Sequence, residues 1–284
     1  MHLINDRKIL IVGLGLIGGS YAHGFSRLGF EVGAVARRQE TIDYALSKGL
    51  ISSGYTEVTP EYVGHFDIIV FALYPQVFVD WIRQYQSYIK PGAVITDVTG
   101  VKRKIVADIQ DILRPDVEFV PAHPMAGKEV YGVENSDCAI FHGANFIITP
   151  TERNTRRGVT LVREMAVLLG FKKVSEISPE AHDEMIGFLS QLTHCIAVTL
   201  MTCKESEHLA DYTGDSFRDL TRIARINENM WTELFIDNKD ELLTQMDLFI
   251  SKFGQLRNAL ETENREVMKE MMRLSTKRRA VFDK

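Results

Sequence analysis

Lys8-Ile9-Leu10-Ile11-Val12-Gly13-Leu14-Gly15-Leu16-Ile17-Gly18-Gly19-Ser20 is the stretch that decides the fold of the first half of this chain. A short apolar run reads as a buried strand. It passes directly into a G-x-G-x-x-G pattern that opens an apolar helical stretch carrying Ile17, Tyr21, Phe25 and Leu28. Each glycine has its own physical task. Gly13 permits the tight turn out of the strand, Gly15 lets backbone approach a pyrophosphate, and Gly18 lets the helix pack closely on the sheet. The N–H groups at the start of that helix offer an anion site. Gly13, Leu14, Gly15, Leu16, Ile17 and Gly18 are therefore expected to cradle a dinucleotide. The plain alternative is an ordinary strand–helix turn.

Outward from this loop the alternation continues. Strand-like runs fall at 8–12, 31–36, 67–72, 93–97, 118–121 and 145–149, with helical patterns at 17–28, 39–48, 77–88 and 102–113. This is the signature of βαβ units, so the expected class is α/β: a Rossmann-type, doubly wound, mostly parallel sheet. Pro91-Gly92 and Arg114-Pro115 punctuate it as turns. A helix over 154–169 and a short strand over 172–177 complete it. From Ser178-Pro179-Glu180 the strand signals stop, with Ser178 as N-cap and Pro179 at the first helical position. Helices are expected over 179–204, 216–227, 229–238 and from 239 to the end. The domains are thus a dinucleotide-binding domain over 1–177 and an all-helical substrate and dimerisation domain over 178–284. Met246, Phe249, Ile250, Phe253, Leu256 and Leu260 form a one-sided stripe on a small helical core. Burial against a second copy would cover it, so a homodimer is expected. The alternative is that the stripe packs on the first domain.

Composition sets bounds on the partners. The 284 residues are 45% hydrophobic and 25% charged, with a formal charge of −5, an ordinary globular balance. An acidic chain is poorly suited to nucleic acid or anionic membrane, so anionic ligands must be held by locally placed cations and helix N-termini. Cys138, Cys195 and Cys203 form no C-x-x-C pair, which points to a reducing compartment. Met1-His2-Leu3-Ile4-Asn5-Asp6 lacks signal-peptide character. The apolar tract 185–203 is interrupted by Ser190, Gln191, Thr193 and His194 and is expected not to span a membrane. Cytoplasmic location follows as the expectation. The eight histidines show no ligand spacing, so no metal is expected.

The second strand of a dinucleotide fold commonly ends in a carboxylate that binds the ribose 2′-hydroxyl. Here Glu31-Val32-Gly33-Ala34-Val35-Ala36 ends in Arg37-Arg38. Two guanidiniums suit a 2′-phosphate, which favours NADP with NAD kept open; the alternative is a solvated basic turn. Ala72-Leu73-Tyr74-Pro75 follows the strand beside the cofactor, so backbone at Leu73 is expected to line the nicotinamide side. Past the strand ending Phe119-Val120-Pro121 comes Ala122-His123-Pro124-Met125-Ala126-Gly127-Lys128-Glu129. Ligands of open α/β sheets bind at that edge, and an imidazole there can take a hydroxyl proton while hydride leaves the same carbon. A structural histidine is the alternative for His123.

With these strings in view, the chain resembles prephenate dehydrogenase. Gly13 to Ser20, His123-Pro124-Met125-Ala126-Gly127 and Phe217-Arg218-Asp219-Leu220-Thr221-Arg222-Ile223-Ala224 carry the resemblance. It implies a Rossmann domain followed by a helical dimerisation domain, and NAD(P)-dependent oxidative decarboxylation of prephenate to 4-hydroxyphenylpyruvate on the route to tyrosine. Some relatives act on arogenate instead. Some carry a regulatory ACT domain after the helices, for which this chain is expected to lack room. The resemblance makes His123 the catalytic histidine and Arg222 the substrate-carboxylate arginine. Arg218, four residues earlier, occupies a place often held by another basic residue; an ion pair with Asp215 or Asp219 is the alternative for the pair. His194 matches a histidine that reaches substrate, although Gln191 and Thr193 depart from the pattern around it. In Asp97-Val98-Thr99-Gly100-Val101-Lys102, Gly100 stands where many relatives have Ser, leaving Thr99 or a water to substitute. Glu129 matches a carboxylate that helps to gate the site. Two rivals remain: a β-hydroxyacid-type dehydrogenase, for which Lys204 is the nearest candidate lysine, and a non-catalytic NADP sensor, which would have no use for His123 and Arg222 together.

Overall fold

The computed structural model describes residues 4–205 and 207–282. Met1-His2-Leu3 and the last two residues of the helical stretch expected from 239 onward lie outside them. In chain order the first part runs β1 Ile9–Val12, α1 Leu16–Arg27, β2 Val32–Val35, α2 Gln39–Ser47, β3 Ser53–Tyr55, α3 Pro60–Val63 and β4 Ile68–Phe71. It continues through α4 Pro75–Tyr85, β5 Val94–Asp97, α5 Arg103–Ile112 and β6 Glu118–Phe119. These six strands form one parallel sheet in the order β3-β2-β1-β4-β5-β6. Every residue of β1, β2 and β4 is buried, as expected where helices cover both faces. One core contains Ile11, Tyr21, Phe25, Phe141 and Met165; the other contains Leu10, Phe71, Phe78, Trp81 and Ile109. The strand order reverses at β1, so the crevice for a ligand opens at the carboxyl ends of β1 and β4.

Two details depart from the sequence expectation. Ser53-Gly54-Tyr55 has no apolar run to announce a strand, yet it pairs with β2 at the sheet edge. The runs at 118–121 and 145–149 also do not share one sheet. After β6 the chain enters β7 Ala122–Met125, which pairs antiparallel with β8 Asn145–Ile148; β8 then pairs parallel with β9 Lys173–Glu176 beyond α6 Arg156–Leu168. His123 therefore sits within a strand, opposite Ile147, rather than in a loop past one. Pro124 is tolerated because β7 is an edge strand.

The helical part comprises α7 Pro179–Ile186, α8 Leu192–Thr202, α9 Asp215–Thr221, α10 Glu228–Asp237, α11 Lys239–Glu261 and α12 Arg265–Arg279. The Ser178 hydroxyl accepts the Ala181 N–H and caps α7, as its sequence suggested. The helix expected over 179–204 is interrupted by a π-turn, Gly187–Gln191. Asn238 holds this turn from outside, donating through Nδ2 to Asp183 O at 2.9 Å and to Gln191 Oε1 at 2.7 Å. By length and composition Pro179–Thr202, 24 residues with a window of mean hydropathy 1.4, would pass as a membrane span, contrary to the expectation for this tract. Its His182, Asp183 and Gln191 are nonetheless buried and hydrogen-bonded within the protein. The helix expected over 216–227 stops at Thr221, and Arg222–Ala224 is a 3₁₀ turn, so Arg218 and Arg222 do not share a continuous helix face.

Candidate active site

The glycine loop is built as its residue types require. Gly13 has φ +97°, and a Cβ there would lie 2.5 Å from Ala72 O and 2.9 Å from Leu73 Cδ2. A Cβ on Gly18 would lie 1.9 Å from Gly13 O, so only glycine lets α1 start this close to β1. A Cβ on Gly15 would meet nothing within 4 Å, which leaves the outer side of the turn open. Gly15 is the N-cap of α1, with no side-chain cap and no acidic residue in the first turn. The N–H groups beginning at Leu16 and Ile17 thus face an uncontested anion site. Leu73 abuts Gly13 where β1 and β4 end. Arg37 and Arg38 follow β2 as exposed residues, and neither forms an ion pair among the described residues.

Beside this crevice, Asp97 at the end of β5 organises a buried polar cluster. Its Oδ1 accepts the Ala122 N–H at 3.0 Å, anchoring the first residue of β7. Its Oδ2 accepts the Thr99 N–H at 3.0 Å, the Thr99 hydroxyl, and Lys102 Nζ at 2.6 Å. The Asp97 and Lys102 side chains are wholly buried. Burial lowers the Lys102 ammonium's pKa, opposed by the charges of Asp97 and Asp183. Thr99 Oγ1 also receives Lys102 Nζ at 3.0 Å, so this hydroxyl is committed inward and does not substitute for a serine at Gly100. A Cβ on Gly100 would lie 3.6 Å from Leu234 Cδ1 and 4.0 Å from His123 Cε1, so space for a small group remains beside the imidazole.

Behind His123 stands a histidine that the sequence reading missed. His123 Nδ1 lies 2.9 Å from His182 Nε2, and His182 Nδ1 lies 2.7 Å from Asp183 Oδ1. Asp183 also accepts the Lys102 N–H and the Arg103 N–H, each at 2.8 Å, and so caps α5 from α7. His123 is held well below the usual histidine pKa, by burial first and then by His182 and Lys102. Burial lowers His182 as well, against the pull of Asp183.

The opposite wall comes from the helical part. The His194 ring packs on Trp231 with centroids 3.8 Å apart, and its Nδ1 donates to Ser190 O at 2.9 Å. Burial lowers its pKa, opposed by that hydrogen bond and by Glu129. Arg222 Nη1 pairs with Glu129 Oε1, both groups being exposed. Arg218 turns away, to Asp215 at 2.8 Å, in the surface pair that was its alternative reading. Helix α10 joins the two walls: Leu234 approaches Gly100 and Trp231 covers His194. It is fastened to the start of α4 from its N-cap and its middle, where Asn227 donates to the Tyr74 hydroxyl at 3.1 Å and Glu233 accepts the Gln76 N–H at 2.7 Å. Elsewhere, His23, Asp137 and Cys138 bring potential metal-ligand atoms within 4.8 Å, a cluster that spacing could not reveal. It is poorly suited to a cation: Arg27 Nη1 lies 3.9 Å from Cys138 Sγ, and His23 Nδ1 already accepts the Cys138 N–H.

The model of the family described as prephenate dehydrogenase, nucleotide-binding domain, matches residues 27–174, and that of its dimerization domain matches residues 178–274. The chain belongs to the prephenate dehydrogenase family. The prephenate dehydrogenase of Lactococcus lactis subsp. cremoris is 30% identical over 251 residues, 86% of this chain and 68% of that one. That of Bacillus subtilis is 29% identical over 273 residues, covering 94% and 73%. The crystal structure of prephenate dehydrogenase from A. aeolicus, in complex with hydroxyphenyl propionate and NAD+, superposes with a TM-score of 0.90 at 29% identity, covering 99% of this chain and 100% of that one.

Membership in the prephenate dehydrogenase family makes the chain an oxidoreductase. Lys204, the lysine on which a β-hydroxyacid-type reading depended, is exposed beyond the end of α8. Asp97, Lys102, His182 and Asp183 went unread because the contacts that tie them to His123 and to one another across elements are long-range: Asp97 to Ala122, His182 to His123, and Asp183 to the Lys102 and Arg103 N–H groups. The signal that could have found them is a set of ionisable residues at otherwise apolar, core-facing positions.

Proposed function

We propose that the chain oxidises prephenate to 4-hydroxyphenylpyruvate with loss of carbon dioxide, using a nicotinamide dinucleotide held at the Gly13–Gly18 loop. The observation carrying this reading is a neutral, half-buried His123 at the sheet edge, backed by a hydrogen-bonded neighbour and with space for a small group beside its ring at Gly100. A dinucleotide at the loop supplies the hydride acceptor. His123 takes the proton of the ring hydroxyl as hydride leaves that carbon. The bond to the ring carboxylate breaks as carbon dioxide departs, its electron pair completes the aromatic ring, and the proton returns to the phenol oxygen. Arg222 offers a planar fork to a substrate carboxylate, for which Glu129 holds its place. His194 and Trp231 border the same space. Arg218 would first have to leave Asp215, and it takes no part in this reading.

Arg37 and Arg38, free at the end of β2, favour a 2′-phosphate and hence NADP over NAD. A homodimer is supported by exposed apolar residues along α11: Phe249, Ile250, Phe253 and Leu260 are 38%, 62%, 62% and 67% exposed. The deciding assay follows cofactor reduction at its absorbance band with prephenate, arogenate, NADP and NAD. Prephenate-dependent reduction that His123→Asn cuts by about 10²–10⁴-fold is expected. Silence with both substrates would overturn the reading.

A further inference from the structure

We propose that His182 and Asp183 form a buried relay that fixes which nitrogen of His123 is bare and shares the charge His123 acquires. The inference rests on the reading that His123 takes the hydroxyl proton. The hydrogens follow from the partners. A carboxylate only accepts, so the hydrogen between His182 Nδ1 and Asp183 Oδ1, 2.7 Å apart, sits on His182. Neutral His182 then presents a bare Nε2, which can only accept. The hydrogen in the 2.9 Å contact to His123 therefore belongs to His123 Nδ1. That leaves His123 Nε2 as the lone pair available to a substrate hydroxyl.

Proton flow balances along the same line. The hydroxyl proton arrives at His123 Nε2. The Nδ1 proton of His123 can move to His182 Nε2, so the positive charge comes to rest against ionised Asp183, and reversal returns both protons. Asp183 is held in place independently by the Lys102 and Arg103 N–H groups, so the relay starts from a fixed point. The charged groups facing it from the β5–α5 side are Lys102 and Asp97, already neutralised by each other at 2.6 Å. His182 and Asp183 touch no substrate; they are positioning residues.

The first test needs no variant. Nitrogen-15 NMR of the full chain labelled at histidine should show His123 protonated at Nδ1 and bare at Nε2 at neutral pH. A hydrogen on Nε2 overturns the relay. The second test is kinetic. His182→Phe removes the acceptor, and kcat should fall about 10²-fold with KM for both substrates within about twofold. His182→Gln should restore at least about tenfold of that loss, because its amide oxygen accepts from His123 and its N–H donates to Asp183. No rescue by Gln, or a His182→Phe kcat within about threefold of the parent, refutes the relay while leaving His123 as proton acceptor. An unimpaired His123→Asn enzyme would remove that reading itself, and the relay with it.

Discussion

Lys102→Met tests how much of the site depends on one buried charge. The ammonium lies in a wholly buried pair with Asp97 and also meets the Thr99 hydroxyl. Methionine matches its volume but leaves the Asp97 carboxylate buried with its counter-charge gone. Breaking such a pair from one side costs about 3–5 kcal/mol. For a chain of this size each kcal/mol moves Tm by roughly 2–4 °C, so a fall of about 10 °C is expected by circular dichroism or calorimetry. Because Asp97 also anchors the Ala122 N–H, one residue before His123, kcat should fall in the surviving folded fraction. Pairing the change with Asp97→Asn neutralises the stranded carboxylate, so the double variant should lose less stability than the two single variants summed. A Lys102→Met protein melting within about 2 °C of the parent, or strictly additive losses, would refute the reasoning.

Ala36→Asp with Arg37→Ala should move the NADP-to-NAD ratio of kcat/KM toward NAD by at least about tenfold, since it exchanges a phosphate-binding fork for a hydroxyl acceptor; an unmoved ratio counts against the NADP preference. Arg222→Gln should raise the KM for prephenate by about 10–100-fold and leave that for the dinucleotide alone, the loss expected for one charge-assisted hydrogen bond. Glu129→Gln, which frees that arginine, should not raise the prephenate KM; a parallel rise in both variants would place the pair in structure rather than binding. Acid should weaken the fold through His123 and His182. Burial lowers both His123 and His182, while unfolded histidine titrates near about 6.5, so between those values the unfolded chain binds protons that the folded one refuses. The stabilisation is complete above that unfolded value and is lost as pH drops below it. Urea midpoints should therefore fall from pH about 7.5 to about 5.5, and less steeply in His182→Gln; matching slopes would contradict this.

What could be read from the sequence was local. The glycine loop declares itself because strand, turn and helix N-terminus are contiguous, and each glycine answers to a steric limit a few residues away, Gly18 against Gly13 most directly. The alternation of strands and helices was legible for the same reason. His123 stood out through its string, yet its support did not, because His182 is 59 positions downstream. The π-turn depends on Asn238, which reaches Gln191 from 47 positions away, and no helical periodicity over 179–204 encodes that contact. Nor could the text of Asp97-Val98-Thr99-Gly100 reveal that the threonine hydroxyl is committed to Asp97 and Lys102. The division into two sheets rests on β7 reversing direction against β8, a choice made by tertiary pairing between runs that each read simply as strand.

Helix α10 touches both ends of the crevice. It meets α4 through Asn227 and Glu233, just after the Leu73 that abuts Gly13, and it carries Trp231 and Leu234 beside His194 and Gly100. It therefore behaves as a strut between the nucleotide end and the substrate end. If occupancy of the loop displaces the first turn of α4, the strut transmits that displacement to the far wall, and substrate affinity changes by some factor. Thermodynamic reciprocity then fixes the converse: substrate must change dinucleotide affinity by the same factor. Through one helix of ten residues, the affinities at the nucleotide end and the substrate end would be coupled rather than independent.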